Sequence, residues 1–587
     1  MSSSLTGLGV SPGIAIGEPV VHETRPIATL RITIASDQVE SEIRRFSTAV
    51  TTTVDRIWEN RERARLQMGE EYAGIFEAHQ LIATDPSFVE PVKKIIRQER
   101  VNAEWATDQV VGELVSRFEA LPNADLADRK LDVLDVARQI LNALHGLDLG
   151  QLDHLDRPAI LVADDLPPSK AVQLPMDKIL GFALETGGPT AHTTIIARSF
   201  GIPVIVGAQG LCESARQSRQ IALDAFEGKI VFDPEPAVVA EYRNRQIEYE
   251  EQQTRLLAMR AMPSVTRDGH EITIFANIDL PNEVELAQQW NAAGIGLYRS
   301  EFLYMKMSPN LPSEKDHLET YREITAGISP HPVTIRTFDL GGKKLAREVI
   351  GSTEANPVLG LRGIRLCFSQ PDFFRTQLRA LVRLAAEFPP GRVRIMFPLI
   401  SGLEEFRIAR LLVHKITEEI RSEGHEVHDK VPLGVMVEVP SAAVMARELA
   451  HEVDFISIGT NDLIQYSLAV DRSNELVANL YRPTSPAILR LISKVVEAGI
   501  AEGIPVSMCG EMAADPLMVP VLLGIGLTQF SMNPQATPVV RALVRQLSYR
   551  ESVNLARQAC KMATARDVEE FLLEKLAISL AKIKIRV

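Results

Sequence analysis

Six polar residues in the C-terminal half stand at the ends of short apolar runs. Arg299 closes IGLYR, Arg336 closes VTIR, Glu438 follows LGVMV, Asn461 and Asp462 follow DFISIGT, and Cys509 follows PVSM. Charges in such places are costly unless paired or liganded, so their recurrence points to a site rather than to scattered solvated loops. Two arginines on adjacent strands can fork onto phosphate or carboxylate oxygens, with Arg362 and Arg472 adding to them. Glu438 and Asp462 are hard oxygen donors suited to Mg2+ or Mn2+. Asn461 can donate an amide hydrogen bond to a substrate. The set describes a grip on a phosphorylated carboxylic acid. Cys509, a thiol near cations and a metal, can serve as a general acid or base. A lone cysteine is more often a small buried hydrophobe, and its position alone leaves both readings open.

A second group lies in the N-terminal half, in the run Thr186-Gly187-Gly188-Pro189-Thr190-Ala191-His192-Thr193-Thr194. The pattern predicts a strand, a Gly-rich turn and a helix opening near His192. Free amides and threonine hydroxyls at a helix N-terminus suit transient negative charge. A histidine there can act as a nucleophile whose phosphoramidate those donors stabilise.

The elements that must position these groups follow from periodicity. Residues 1–25 are Gly- and Pro-rich with β-type runs, and β texture returns from about 147 to 235. Between them, residues 26–146 are charged, poor in glycine and apolar at three- and four-residue spacing, which predicts a helical bundle inserted into an α/β domain. Residues 236–262 predict one long charged helix, long enough at 1.5 Å per residue to span roughly 35–40 Å. A linker and a surface helix fit that pattern equally. From 263 to 587 we count eight short apolar runs separated by helical sequence: ITIFAN, IGLYRSE, VTIRTFD, RIMFP, LGVMVE, DFISIGTND, PVSMCGE and QFSM. That is the arithmetic of a (β/α)8 TIM barrel, whose C-terminal strand ends build the active site.

Composition sets outer bounds. The 587 residues are 45% hydrophobic and carry a net charge of −13, with acids and bases interleaved, which argues against nucleic acid or anionic lipid as the main partner. Four distant cysteines without a CxxC pair argue against a disulfide framework or a structural zinc site. The start, MSSSLTGLGV, has no signal-peptide pattern, and the longest apolar run, residues 517–527, is too short to span a bilayer as a helix. The expectation is a soluble, cytoplasmic, multidomain α/β protein.

The segment GGPTAHTTIIARSFGIPVIVG resembles the phosphohistidine segment of the enzyme I family of the phosphoenolpyruvate:sugar phosphotransferase system. The resemblance runs through nearly the whole chain. SPGIAIG stands at the start, followed in the family's order by GLYRSEFLYM, IRTFDLGG, ANPVLGLRGIR, RIMFPLISG, VMVEVPSAA, SIGTNDLIQYSLAVDR and SMCGEMAAD. No single motif would suffice; so many in register are specific. The resemblance implies that phosphoenolpyruvate phosphorylates His192, which passes the phosphoryl group to a histidine of the phosphocarrier protein HPr. It implies that Arg299, Arg336, Asn461 and Arg472 bind phosphoenolpyruvate and that Glu438 and Asp462 hold Mg2+. It makes Cys509 the acid that protonates the enolate to pyruvate, the helical insertion the HPr dock, and the barrel the homodimerisation domain. Four positions depart from the family pattern: Lys343 for an Asp, Pro189 for a basic residue, Ala191 for a Ser and Lys170 for an acidic residue. None removes a catalytic group; they bear on the carrier's identity and on rate.

Two partners for one histidine predict a swivel of the α/β domain about the 236–262 helix, and ping-pong kinetics. Pyruvate phosphate dikinase and phosphoenolpyruvate synthase share both segments but carry a large ATP-binding domain ahead of the histidine. Here about 190 residues precede His192, more than half in the helical insertion, and no Gly-rich nucleotide loop is evident. A regulatory, nitrogen-type enzyme I serving a specialised HPr-like carrier is the alternative; that variant usually carries an N-terminal sensory domain, and this chain opens near SPGIA. A non-catalytic scaffold would have lost His192 or the metal carboxylates, and all are present.

Overall fold

The computed structural model describes residues 3–22, 29–68, 70–119, 125–146, 155, 157–186, 201–307, 311–340, 356–472, 474 and 476–582. The chain divides into two units, residues 1–251 and 252–587, and each is described by itself.

In the first unit, short aliphatic runs form β1 (Ser4–Thr6), β2 (Leu8–Ser11), β3 (Ile14–His22), β4 (Ala159–Ala163), β5 (Ile179–Leu184), β6 (Val204–Val206), β7 (Ile221–Asp224) and β8 (Lys229–Phe232). They make one sheet in the order β1-β8-β7-β3-β4-β5-β6-β2. Strand β3 ties distant sequence together: residues 14–17 pair antiparallel with β7, and residues 18–22 pair parallel with β4. Parallel strands buried on both sides need apolar residues at every position. Leu161, Ala163, Phe182 and Leu184 accordingly enter one core, while Ile160, Val162 and Ala183 enter another.

Between β3 and β4 the chain is helical: α1 (Val39–Met68), α2 (Glu70–Thr84), α3 (Pro86–Glu99), α4 (Ala103–Glu119) and α5 (Asp125–His145). The start of α3 shows why its sequence stops and restarts there. The Asp85 side chain caps it by accepting from the Ser87 N–H at 2.7 Å, and Pro86 takes the first turn, where no N–H is needed. Phe88, Val92 and Ile96 then recur at four and bury one face. Buried polar links join the helices to the strand region: Ser169 Oγ donates to Asp135 at 2.7 Å, and Gln173 donates to Asn60 at 2.9 Å. Lys170 lies in the short helix Pro168–Ala171. His192, Pro189, Ala191 and Lys343 lie outside the described residues.

The 236–262 region forms an α-helix, Pro236–Ala258, and a 3-10 turn, Met259–Ala261. Its first part is fastened within the first unit, where Arg245 reaches the buried Asp224 at 2.6 Å and lies over the Tyr242 ring.

The second unit is a closed barrel of parallel strands: β9 (Thr273–Ile278), β10 (Ile295–Arg299), β11 (Val333–Arg336), β12 (Val393–Phe397), β13 (Leu433–Val437), β14 (Phe455–Ile458), β15 (Val506–Met508) and β16 (Gln529–Met532). The eight runs read from the sequence are these eight strands. Alternation sorts their side chains. Ile395 and Phe397, Val435 and Val437, and Met508 join the large core shared with the surrounding helices. Met396, Met436 and Cys509, on the opposite face, form a small cluster with Leu297 and Phe455 inside the ring. Among the described residues no helix is long and apolar enough to cross a membrane.

Candidate active site

Strand ends aim the charged residues of the second unit into one place. Arg299 ends β10 and Arg336 ends β11; Glu438 follows β13 directly, and Cys509 follows β15. Asn461 and Asp462 sit in the first turn of the helix Thr460–Leu468, which opens two residues beyond β14. Arg362 immediately precedes the helix Gly363–Ser369.

These groups pair in a buried network. Arg336 is 8% exposed and holds Glu301 through one nitrogen and Asp339 at 3.1 Å through the other. Burial alone would lower its pKa, but Glu301 and Asp339 outweigh that, so the guanidinium keeps its charge. Arg362 donates at 2.9 Å to both Asp339 and Asp462, and at 3.2 Å to the Tyr466 hydroxyl. Burial pushes the Asp339 carboxyl up, yet Arg336 and Arg362 together hold it below the ordinary range. Arg299 lies nearer the rim and pairs with Asp279 at 3.1 Å.

Asp339, Glu438 and Asp462 each present a carboxylate oxygen within 4.8 Å of the others. Glu438 is nearly fully buried, and one of its oxygens accepts from the Leu399 N–H at 2.6 Å. Leu399 makes that donation from a left-handed conformation (φ 56°), a posture a branched residue adopts only where its surroundings require it. Burial first, then the charges of Asp339 and Asp462, push the Glu438 carboxyl up to about 8. A buried carboxylate raised by its acidic neighbours is short of positive charge, and three hard oxygen donors at this spacing fit a divalent cation. Gly459 keeps the space open, because a Cβ there would lie 2.9 Å from Glu438 Oε2.

The Cys509 thiol is buried, with Sγ 3.8 Å from the Ile458 carbonyl, and burial pushes its pKa up. It therefore carries its proton. Beside it opens a cavity of about 410 Å3 lined by Arg299, Asp279, Asn277, Glu511 and Asn533 as well as Cys509. Asn461 and Glu511 exchange two hydrogen bonds of 3.0 Å, side chain to side chain and side chain to backbone. Arg472, about half exposed, lies 3.9 Å from Glu511.

The structure thus brings Arg336, Arg362, Glu438 and Asp462 into one network. Arg299 and Cys509 line the adjoining cavity, and Asn461 and Arg472 meet at Glu511 on its edge. His192 lies outside the described residues. Sequence reasoning missed Asp339 and Glu301, although both were present in the strand-end runs IRTFD and RSE. The available signal was pairing: an arginine pointing into a barrel needs an acid close by in sequence or on the next strand.

Comparison with known proteins covers the chain in three parts. Residues 6–129 match the N-terminal region of PEP-utilising enzymes, residues 155–228 their mobile domain, and residues 253–549 their PEP-binding domain. The phosphoenolpyruvate-protein phosphotransferase of Bacillus sp. (strain S) is 39% identical over 578 residues, covering 98% of this chain and 99% of its own. The protein of the same name from Geobacillus stearothermophilus is 40% identical over the same shares of each chain. That from Listeria monocytogenes is 38% identical over 575 residues, again 98% and 99%. A likeness of this degree over the full length of both chains shows that this chain belongs to the phosphoenolpyruvate-protein phosphotransferase family of PEP-utilising enzymes.

Proposed function

We propose that this chain takes the phosphoryl group of phosphoenolpyruvate onto His192, releases pyruvate, and passes the group to a histidine of a phosphocarrier protein of the HPr type. The observation that carries the reading is the set of arginines and carboxylates interleaved at the barrel's C-terminal end, beside a cavity with a protonated thiol. A substrate carrying both a phosphate and a carboxylate needs cations that remain charged when buried; Arg336 is held in that state by Glu301 and Asp339, and Arg362 by Asp339 and Asp462. Arg299 and Arg336 are assigned to the phosphate and carboxylate oxygens, with Arg362, Asn461 and Arg472 supporting them. Asp462 and Glu438 would hold Mg2+, or Mn2+ in its place, and Asp339 lies close enough to join them. The bound cation would neutralise charge on the phosphoryl oxygens during in-line transfer.

The chemistry balances at named atoms. The P–O bond of phosphoenolpyruvate breaks as a His192 ring nitrogen bonds to phosphorus, which requires an approach of about 3–3.5 Å. The electron pair left on the enolate draws a proton to carbon from Cys509, giving pyruvate, and the thiolate is reprotonated from solvent. A thiol whose pKa is raised by burial holds that proton until it is needed. The proposed setting is the cytoplasm, and the proposed assembly is a homodimer through the barrel unit.

The test is pyruvate release with phosphoenolpyruvate, Mg2+ and a purified HPr-type carrier. Release should require the carrier for turnover beyond one equivalent. Cys509→Ala should slow release while binding of phosphoenolpyruvate survives; an equal loss of binding would count against the acid role. Release that depends on ATP would overturn the reaction class.

A further inference from the structure

Behind the arginines, away from the cavity, lies a chain of fully buried polar groups that the reaction as proposed does not use. Gln377, in the helix Pro371–Ala386, is its centre. Its carboxamide nitrogen donates to Ser300 Oγ at 2.9 Å and to the Tyr321 hydroxyl at 3.0 Å, and its oxygen accepts from the Phe338 N–H at 3.1 Å. Ser300 in turn donates to the Arg336 carbonyl at 2.8 Å. The Tyr321 hydroxyl lies 2.9 Å from His317 Nδ1. Gln377, Ser300, Tyr321, Phe338 and His317 have no exposed surface, and Arg336 is buried beside them.

The orientation of the Gln377 amide in this chain is determined. The Phe338 N–H can only donate, so the carboxamide oxygen faces it and both amide protons face Ser300 and Tyr321. The Ser300 proton is committed to the Arg336 carbonyl. The Tyr321 hydroxyl, which accepts from the amide, shares one proton with His317 Nδ1, and the ring tautomer sets which of the two donates. Burial lowers the His317 pKa to about 4, in keeping with a neutral ring. An amide with one satisfiable orientation holds one geometry, because a flip leaves its nitrogen facing the Phe338 N–H, donor to donor.

What the amide holds is informative. Ser300 sits between Arg299 and Glu301; the Arg336 carbonyl and the Phe338 N–H flank Thr337, and Phe338 directly precedes Asp339. One side chain thus clamps the ends of β10 and β11 to each other and to the helix behind them. We propose that Gln377 is a positioning residue for the phosphoenolpyruvate site, setting the placement of Arg299 and Glu301 relative to Arg336 and Asp339 through Ser300 and the Phe338 backbone. It touches no substrate. The assignment rests on the function proposed above for the site, but the placement it describes is a property of the protein alone.

Two measurements on the full chain separate these. Gln377→Met keeps the length of the side chain and removes its three hydrogen bonds; Ser300→Ala removes two, those to Gln377 and to the Arg336 carbonyl, and little volume. Misplacement of about 1 Å in binding groups can cost up to roughly a hundredfold. We expect Gln377→Met to raise KM for phosphoenolpyruvate about tenfold and Ser300→Ala about threefold, with smaller effects on kcat. A core control, Phe374→Leu, matched by temperature to the same margin below its unfolding midpoint, should leave KM unchanged. Gln377→Glu, which keeps the acceptor for Phe338, should recover part of the loss. In a crystal structure of Gln377→Met or Ser300→Ala, the Arg336 and Asp339 side chains should be displaced relative to Glu438. Unaltered KM in both variants, or a rise equal to that of the core control, would overturn the proposal; so would unmoved side chains in the variant structures. If the unmodified chain fails to use phosphoenolpyruvate, the functional reading falls, and the variant structures still decide the positioning role.

Discussion

Replacing Glu438 by glutamine separates the electrostatics of the carboxylate cluster from its shape. In the cation-free protein the Glu438 carboxyl is pushed from its ordinary 4.5 up to about 8, by burial first and then by Asp339 and Asp462. The unfolded chain frees the group to titrate at its ordinary value. Between those two pH values the folded protein holds a proton that the unfolded chain has lost. Stability from this group is therefore complete below pH 4.5 and falls as pH rises through 8. At about 1.4 kcal/mol per unit, the fall is roughly 3 kcal/mol by pH 7 and about 5 kcal/mol above pH 8. Glutamine keeps an acceptor for the Leu399 N–H and does not titrate. Calorimetric unfolding of the full chain in a chelator should show Glu438→Gln gaining on the unaltered chain as pH rises from 5 to 8. Saturating Mg2+ should reverse the order, since only the carboxylate form gains from cation binding. Parallel pH profiles for the two proteins in chelator would refute the claim that this cluster is short of positive charge.

Three further outcomes follow from single contacts. His317, its ring kept neutral by burial with a pKa of about 4, gains a proton on unfolding below pH 6.5. The native chain should thus lose roughly 2 kcal/mol between pH 7 and pH 5 relative to His317→Gln, read from urea midpoints. Gly459→Ala would place a Cβ 2.9 Å from Glu438 Oε2 and 3.1 Å from Met436 Cγ, so Mn2+ affinity should fall by about tenfold or more while the barrel remains folded by circular dichroism. Arg362→Met leaves Asp339 and Asp462 without the guanidinium that bridges them, which should cost about 3 kcal/mol in chelator, and Mg2+ should restore more stability to this variant than to the unaltered chain.

The barrel was legible because its strands are short apolar runs separated by helical sequence, several of them ending in a polar residue, and that pattern survives in sequence without knowledge of contacts. The arginines and the pair Glu438 and Asp462 were legible for the same reason. Asp339 and Glu301 were not, although each lies within three residues of an arginine that was singled out. A charge was weighed there for what it offers a ligand rather than for the counter-charge it needs when buried. Gln377 was harder still. It occupies a buried position of an apolar helix stripe beside Phe373, Phe374, Leu378 and Leu381, and a polar residue in such a stripe is the only trace of the network it anchors. Cys509 keeps both of its sequence readings in the structure: it packs with Met396, Met436 and Phe455, and it borders the cavity. Packing and chemistry are compatible there because a thiol that donates a proton must first be kept from losing it.

The most direct test of the account is to follow phosphorus. The chain is incubated with phosphoenolpyruvate labelled in its phosphate, with Mg2+ and no carrier, then digested and sequenced by mass spectrometry under alkaline conditions. The account predicts one acid-labile, base-stable phosphoryl group per chain on His192, absent from His192→Ala and discharged when an HPr-type carrier is added. Label on any other residue, or a chain that stays unmodified while phosphoenolpyruvate is intact, would contradict it.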